Sequence, residues 1–313
     1  MNAKVVITDW GFPSLDPERG VLKGKGVDLL EYQCKSEEDV IRVVGDADVV
    51  MAQWAPVRAN AIAAMTRCKG IVRYGIGLDN IDLDAARRKG IPVRNVPDYC
   101  VEEVADHTMA LALAVQRQVV SVFQRLKEGT WKITPPLALP PLRHSVLGLI
   151  GFGRIGRLVA ERARAFGMTV IVSDPVVLEA DLRQAGATPA SFDRIIRESD
   201  VISLHCPLNE KTRHLINGPV LKQMKSTAIL VNTSRGGLVD LDAVVEALRA
   251  GVIAGAAIDV FEQEPLPAGH QFLTLPNAVA TSHIAWYSTA SIQELQRRAA
   301  LLALELLQKQ PDQ

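Results

Sequence analysis

The 313-residue chain has only four cysteines, Cys34, Cys68, Cys100 and Cys206. They are far apart and form no C-x-x-C pair, which argues against a disulfide framework and a thiolate metal site. They read as free, mostly buried thiols in a reducing compartment. An excess of one charge is also missing: 35 Lys and Arg balance 35 Asp and Glu. Nucleic-acid-binding domains announce themselves by a basic excess, so neither that class nor an acidic polymer or membrane surface is indicated. Residues 1–10 lack the basic, apolar and small-residue zones of a secretory signal. The longest apolar runs, near 109–115 and 146–152, fall short of the roughly 20 residues that span a bilayer. The expected protein is soluble and cytoplasmic, with no nucleic-acid or membrane partner and no metal.

Apolar residues make up 48% of the chain, enough to fill sizeable cores. The length suggests about two domains. Strand-like runs at 4–9, 27–32, 48–53, 70–74 and 92–96 alternate with helix-like runs at 36–44, 58–65 and 83–89. Residues 101–128 are apolar at helical spacing without Gly or Pro and predict one long helix. Four prolines within 134–141 predict an extended surface loop. A second alternating series follows, with strands at 145–150, 169–174, 200–205, 228–232, 255–260 and 278–282. Its helices are expected at 154–166, 193–198, 218–223 and 241–250, and residues 288–309 form a final helix. Strands alternating with helices imply parallel sheets covered on both faces.

Gly151-Phe-Gly153-Arg154-Ile155-Gly156 is a G-x-G-x-x-G between an apolar strand and a helix. In that setting Gly151 permits a tight turn, Gly153 lets backbone approach a pyrophosphate, and Gly156 lets helix pack on strand. Free amides and the positive dipole end of the helix then face the phosphates. Asp174 ends the second strand at the distance where a carboxylate accepts hydrogen bonds from the adenosine ribose. It would repel a 2′-phosphate, and the nearest following cation is Arg183, so NAD is expected over NADP. Every later strand also ends in a polar residue: His205, Thr233-Ser234-Arg235, Asp259 and His283. Beyond the carboxyl ends of an open parallel sheet is where ligands bind. Reducing a ketone needs a proton donor, for which histidine is suited, and a cation for the substrate carboxylate, which an arginine fork matches. A carboxylate beside the histidine would fix its tautomer and raise its pKa. His283, Arg235 and a glutamate just after Asp259 fit these roles.

Arg73-Tyr-Gly-Ile-Gly-Leu-Asp-Asn80, Asn95-Val-Pro97, the Gly151 loop with Asp174, Cys206-Pro-Leu208 with Thr212, Asn232-Thr-Ser-Arg-Gly-Gly-Leu-Val-Asp240, Gly255-Ala-Ala-Ile-Asp-Val-Phe261 with Glu264-Pro265, and Ser282-His283 together resemble the D-isomer-specific 2-hydroxyacid dehydrogenases over nearly the whole chain. The resemblance implies a flavodoxin-like substrate domain (1–98 and 289–313), a Rossmann-type doubly wound NAD-binding domain (99–288), an active site in the cleft between them, and a homodimer. It implies that Arg235, Glu264 and His283 are catalytic, with Glu264 preferred to Glu262 because it precedes Pro265. Cofactor contacts would come from Gly151, Gly153, Arg154, Ile155, Gly156, Asp174, Cys206, Pro207, Thr212, Thr233, Ser234, Asp259 and Trp286. Substrate contacts would come from Ile76, Gly77, Arg235 and Trp286. Val101 stands where many relatives have a threonine. Ile284-Ala-Trp-Tyr-Ser288, with Tyr99 and Cys100, looks like the C-terminal-binding-protein branch, so an NAD(H)-sensing scaffold is one alternative; phosphonate oxidation at the same site is another. The remaining histidines, His107, His144, His205, His214 and His270, are expected to be structural or surface residues. The implied reaction is hydride transfer between nicotinamide and C2 of a small 2-hydroxy or 2-oxo acid. The acid's tail is not identified: glyoxylate, hydroxypyruvate, 3-phosphoglycerate and branched acids share one head.

Overall fold

The computed structural model describes residues 2–132 and 140–308. Most of the expected proline-rich loop, and the last residue of the expected final helix, lie outside the described residues. The chain separates into two compact units, Met1–Cys100 with Ser288–Gln313, and Val101–Tyr287.

In the first unit, β1 (Ala3–Ile7), β2 (Val27–Glu31), β3 (Val49–Ala52), β4 (Gly70–Arg73) and β5 (Val93–Asn95) are joined by α1 (Asp16–Leu22), α2 (Glu37–Val44), α3 (Ala59–Ala64) and α4 (Leu83–Arg88). All pairings are parallel and the order is β2-β1-β3-β4-β5, the flavodoxin-like arrangement. Alternate strand residues go to opposite faces. Val6, Val50 and Ile71 therefore join Val40, Val44, Ile62 and Ile91 in one core. Helix α2 starts at a capping box in which Ser36 and Asp39 satisfy each other's amides. Helix α1 has no counterpart among the helix-like runs of the sequence, because its seven residues include a Pro and a Gly.

The second unit opens with α5 (Val101–Gln116) and α6 (Val119–Lys127). The sequence pattern over 101–128 predicts one continuous helix, and the structure corrects that. Gln118 takes a left-handed φ of 54° and its amide bonds the Val115 carbonyl, ending α5. Ser121 Oγ then donates to the Gln118 carbonyl at 3.1 Å. The break matches a change of environment: α5 buries Val104, Met109, Leu111 and Val115, whereas Val119, Phe123 and Leu126 on α6 are exposed.

The sheet that follows comprises β6 (Val146–Ile150), β7 (Thr169–Ser173), β8 (Thr188–Pro189), β9 (Val201–Leu204), β10 (Ile229–Asn232), β11 (Gly255–Ile258) and β12 (Ala278–Ala280). The connecting helices are α7 (Arg154–Ala165), α8 (Glu179–Gln184), α9 (Phe192–Glu198), α10 (Gly218–Leu221) and α11 (Leu241–Arg249); the chain then enters α12 (Thr289–Gln308) of the first unit. The order β12-β11-β10-β9-β6-β7-β8 is all parallel. It reverses between β6 and β9, the switch point where a doubly wound sheet opens a crevice. Both faces are apolar. Leu147, Leu149, Val231 and Ala257 pack with residues of α5 and α7. Ile202, Leu204, Leu230 and Ile258 pack on the opposite side with residues of α9 and α11. Burial on both faces gives the near-continuous apolar strands read from the sequence.

Candidate active site at the carboxyl edge of the second sheet

Parallel pairing puts the residues after β6, β7, β9, β10, β11 and β12 on one edge. Gly151 follows β6 with φ 99°, a backbone that favours glycine. A Cβ there would lie 2.5 Å from the His205 carbonyl, so the bare backbone is what lets the β6 turn close on the end of β9. A Cβ on Gly156 would lie 2.7 Å from the Gly151 oxygen, which accounts for the close approach of α7. A Cβ on Gly153 would meet nothing within 4 Å, and Gly153 gives α7 no side-chain cap. The amides at the start of this twelve-residue helix, at Arg154 and Ile155, are thus left for an anion. Asp174 pins the loop: Phe152 N–H donates to Oδ2 at 2.7 Å, and the amides of Val176 and Val177 donate to Oδ1 at 2.8 and 3.0 Å. Burial works against the charge, but these three amides and Arg157 hold the carboxyl below its ordinary range. A carboxylate has about four acceptor positions, so one remains for a sugar hydroxyl. The loop, the uncapped helix and the acid fit a dinucleotide.

At the end of β9, Ser234 Oγ donates to the Cys206 carbonyl at 3.0 Å, and Thr212 Oγ1 to the Pro207 carbonyl at 2.7 Å. Burial pushes the Cys206 thiol up to about 11, so it stays protonated at neutral pH. Burial lowers His205 to about 4, and its Nε2 lies 2.9 Å from Ser203 Oγ. It is a neutral structural ring at neutral pH.

The turn carrying Arg235 is folded by Asn232, whose side chain donates to the Arg235 carbonyl at 2.8 Å and accepts from the Ser234 amide at 3.0 Å. Thr233 Oγ1 lies 2.8 Å from Thr108 Oγ1 of α5. Next to Arg235, a Cβ on Gly236 would stand 2.0 Å from the Phe261 carbonyl carbon and 2.3 Å from the Glu262 nitrogen. The β10 turn is therefore pressed directly on the loop after β11. That loop brings Glu264 into the site: Oε1 accepts from the Phe261 amide at 2.8 Å, and Oε2 lies 2.7 Å from His283 Nδ1. Glu262 instead meets Arg213 at 2.6 Å and His214 at 3.2 Å. Partial burial opposes ionisation of Glu264, yet the His283 and Phe261 hydrogen bonds, with the charges of His283 and Arg235, keep its pKa below the usual 4.5.

A depressed carboxyl pKa means the contact is complete above 4.5 and is lost as pH falls through the lowered value. Rate measurements from pH 7 down to 3 should give an acidic limb in the wild type that is absent from Glu264→Gln, whose activity is already reduced at pH 7. An unchanged limb in the variant would exclude Glu264 as its source.

His283 sits just past β12 with φ 56°. For a non-glycine residue this costs of order 1–3 kcal/mol and persists only where the surroundings impose it. Here they do: its amide donates to the Asp259 carbonyl at 2.8 Å. The amides of Ile284 and Ala285 donate to the two Asp259 carboxylate oxygens at 3.0 Å each, and Thr281 Oγ1 donates to Oδ1. His107 Nε2 of α5 lies 3.0 Å from that same hydroxyl. Asp259 is fully buried. The family resemblance implies Asp259 as a cofactor contact; in the structure its carboxylate accepts from the loop that carries His283. His107 makes a structural hydrogen bond here and Asn232 lies within the Asn232–Asp240 motif, whereas no local sequence pattern points to Thr281. Trp286 is half-buried, and its Nε1 donates to the His283 carbonyl at 2.7 Å.

Ile76 and Gly77 belong to the first unit, after the carboxyl end of β4. Asn95 Nδ2 donates to the Ile76 carbonyl at 2.7 Å, and the Val96 amide to that of Gly75 at 3.1 Å. Half-exposed Trp54 follows β3 in the same unit, its amide donating to Asp9 at 2.6 Å.

The model of the NAD-binding domain of the D-isomer specific 2-hydroxyacid dehydrogenases matches residues 109–285. The chain belongs to this family. It is 41% identical over 278 residues to a hydroxypyruvate reductase of Thermotoga maritima, covering 88% of each chain. It is 38% identical over 299 residues to a glyoxylate reductase of Korarchaeum cryptofilum, covering 93% of this chain and 89% of the relative. A D-lactate dehydrogenase from Aquifex aeolicus, solved with NAD and lactic acid, superposes with a TM-score of 0.88 at 31% identity, covering 97% of this chain and 95% of that one. The family is one of NAD-dependent oxidoreductases, and the activity class of this chain is that of a 2-hydroxyacid dehydrogenase. Among the described residues no helix is long and apolar enough to cross a membrane.

Proposed function

We infer that the chain reduces a small 2-oxo acid to the D-2-hydroxy acid, with His283 as proton donor, Glu264 as its partner and Arg235 as the substrate's anchor. The observation that carries this reading is the His283–Glu264 contact at 2.7 Å beside the Arg235 turn. With Nδ1 committed to the carboxylate, Nε2 is the nitrogen left to move a proton to or from the substrate oxygen. Arg235 binds the carboxylate and steadies the developing alkoxide. When bound, NAD(H) supplies or takes up the hydride. Gly151, Gly153, Arg154, Ile155 and Gly156 would hold its pyrophosphate and Asp174 its ribose, with Cys206, Pro207, Thr212, Thr233 and Ser234 along the same edge. Ile76 and Gly77 would offer backbone amides to the substrate carboxylate. Relatives named for glyoxylate and hydroxypyruvate favour short 2-oxo acids. The test is NADH oxidation against acids from glyoxylate to branched and aromatic tails: turnover is expected on the short members, and none on any member would sink the reading.

NAD is the proposed form of the cofactor because Asp174 stays charged where a 2′-phosphate would have to sit. Removing that charge in Asp174→Ala should raise the ratio of NADPH to NADH activity by roughly tenfold or more, at some cost in thermal stability because three amides lose an acceptor. A wild type that prefers NADPH would overturn this choice. The family also supports a homodimer. The exposed Val119, Phe123, Leu126 and Trp131, on and after α6, offer an apolar surface for it. Sedimentation at twice the 34.0 kDa chain mass is expected; a monomer at micromolar concentration would contradict it. A cytoplasmic location is proposed from the free cysteines and is open to test by fractionation.

A further inference from the structure

We propose that Trp286 is a positioning residue for His283, acting through its indole N–H rather than through its bulk. This rests on the reading of His283 as the proton donor. The peptide joining His283 to Ile284 is gripped from both sides. Its N–H, on Ile284, donates to Asp259 Oδ1 at 3.0 Å. Its carbonyl, on His283, accepts from Trp286 Nε1 at 2.7 Å. Two hydrogen bonds on opposite edges fix the plane of that peptide, and the plane sets the ψ of His283, whose φ of 56° is already unfavourable. A ring carried on strained backbone keeps its aim only if the backbone is over-determined.

The two grips differ in kind. Asp259 is buried in the sheet edge and also binds Thr281 and Ala285, so it belongs to the scaffold. Trp286 is half-buried and reaches back three residues within its own loop. The short turn closed by the Tyr287 amide on the Ile284 carbonyl at 2.9 Å holds Trp286 at that reach. The ring itself is held by Glu264 at Nδ1, which fixes one nitrogen but not the backbone. Removing the indole N–H frees the carbonyl edge and lets the ring swing about the Glu264 contact. Nε2 then moves relative to the substrate, and misplacement of about 1 Å in a reacting group costs about a hundredfold in rate; a partial loosening costs less.

A wall and a positioning residue leave different kinetic marks. A wall alters KM according to tail size. A residue that aims the acid lowers kcat equally for all acids and leaves KM alone. The experiment compares the wild type with Trp286→Phe, and with the indole at 286 replaced by benzothiophene, which keeps shape and loses the N–H. Both are assayed with NADH on glyoxylate and on a branched 2-oxo acid, with His283→Ala alongside. The expected result is a roughly tenfold fall in kcat in both 286 variants, equal for the two acids, with KM within about twofold of wild type. Wild-type kcat in the benzothiophene protein would overturn the proposal, and so would a change confined to KM on the branched acid. If Trp286→Phe folds poorly by its melting temperature, the isosteric protein alone decides. His283→Ala separates the two levels: full turnover there removes the reading of His283 itself, whereas its loss with unchanged 286 variants removes only the role of Trp286.

Discussion

His283→Ala is expected to lower kcat for 2-oxo acid reduction by roughly a factor of 10² to 10⁴, the usual worth of a positioned general acid, while NADH binding stays within about twofold. The cofactor-side residues, from Gly151 to Asp174, lie on the ends of β6 and β7 and share no hydrogen bond with His283. The strained φ makes the change asymmetric. Alanine at 283 removes the ring that Glu264 holds but retains the left-handed backbone, so the fold gains nothing and loses one charge-assisted contact. Stopped-flow NADH oxidation for the rate, with fluorescence titration for cofactor affinity, checks both halves. A loss of NADH affinity as large as the loss of rate would mean the β12 loop serves cofactor binding rather than proton transfer.

Gly236→Ala should cost nearly as much activity without touching a reacting group. The added methyl meets the Phe261 carbonyl carbon at 2.0 Å and its oxygen at 2.4 Å. Both are backbone, so neither can rotate aside. The displacement is passed to the Phe261 amide, which holds Glu264 Oε1, and to the turn presenting Arg235. Overpacking of this kind costs about 1–3 kcal/mol, and a shift of about 1 Å in the catalytic groups costs about a hundredfold in kcat/KM. The expected outcome is a folded protein with a lower melting temperature and kcat/KM down by about that factor. Wild-type kinetics in this variant would mean that the Arg235 and Glu264 loops are not mechanically joined at Gly236.

The two parallel sheets and the edge that carries the site were legible because β-strands buried on both faces read as continuous apolar runs, each ending abruptly in a polar residue. Val201–Leu204 before His205 and Ile229–Asn232 before Thr233 are instances. The break between α5 and α6 was not legible. It turns on Gln118, a residue with no conformational preference that marks it, and on which side of the following helix finds a partner. In the sequence, the pairing of Glu264 rather than Glu262 with His283 rests on the family pattern, since two glutamates two residues apart cannot be told apart by local spacing. The double service of Asp174 and Asp259, as candidate contacts and as acceptors for backbone amides, is a fact of tertiary structure. A strand-end aspartate looks the same in sequence whether it faces a ligand or folds its own loop. The likeness to the C-terminal-binding-protein branch rests on residues 284–288 with Tyr99 and Cys100, while the relatives described above are reductases and a dehydrogenase.

Hydride is expected to reach C2 of a 2-oxo acid from the face that yields the D-isomer. The test is incubation of the wild-type protein with glyoxylate or hydroxypyruvate and NADH carrying deuterium at both nicotinamide C4 positions. Deuterium should appear at C2 of the product, and the product from hydroxypyruvate should be the D-acid by chiral chromatography. An L-product, or reduction without deuterium at C2, would contradict the account; binding of NADH with no reduction of either acid would leave the chain a cofactor-binding protein of another purpose.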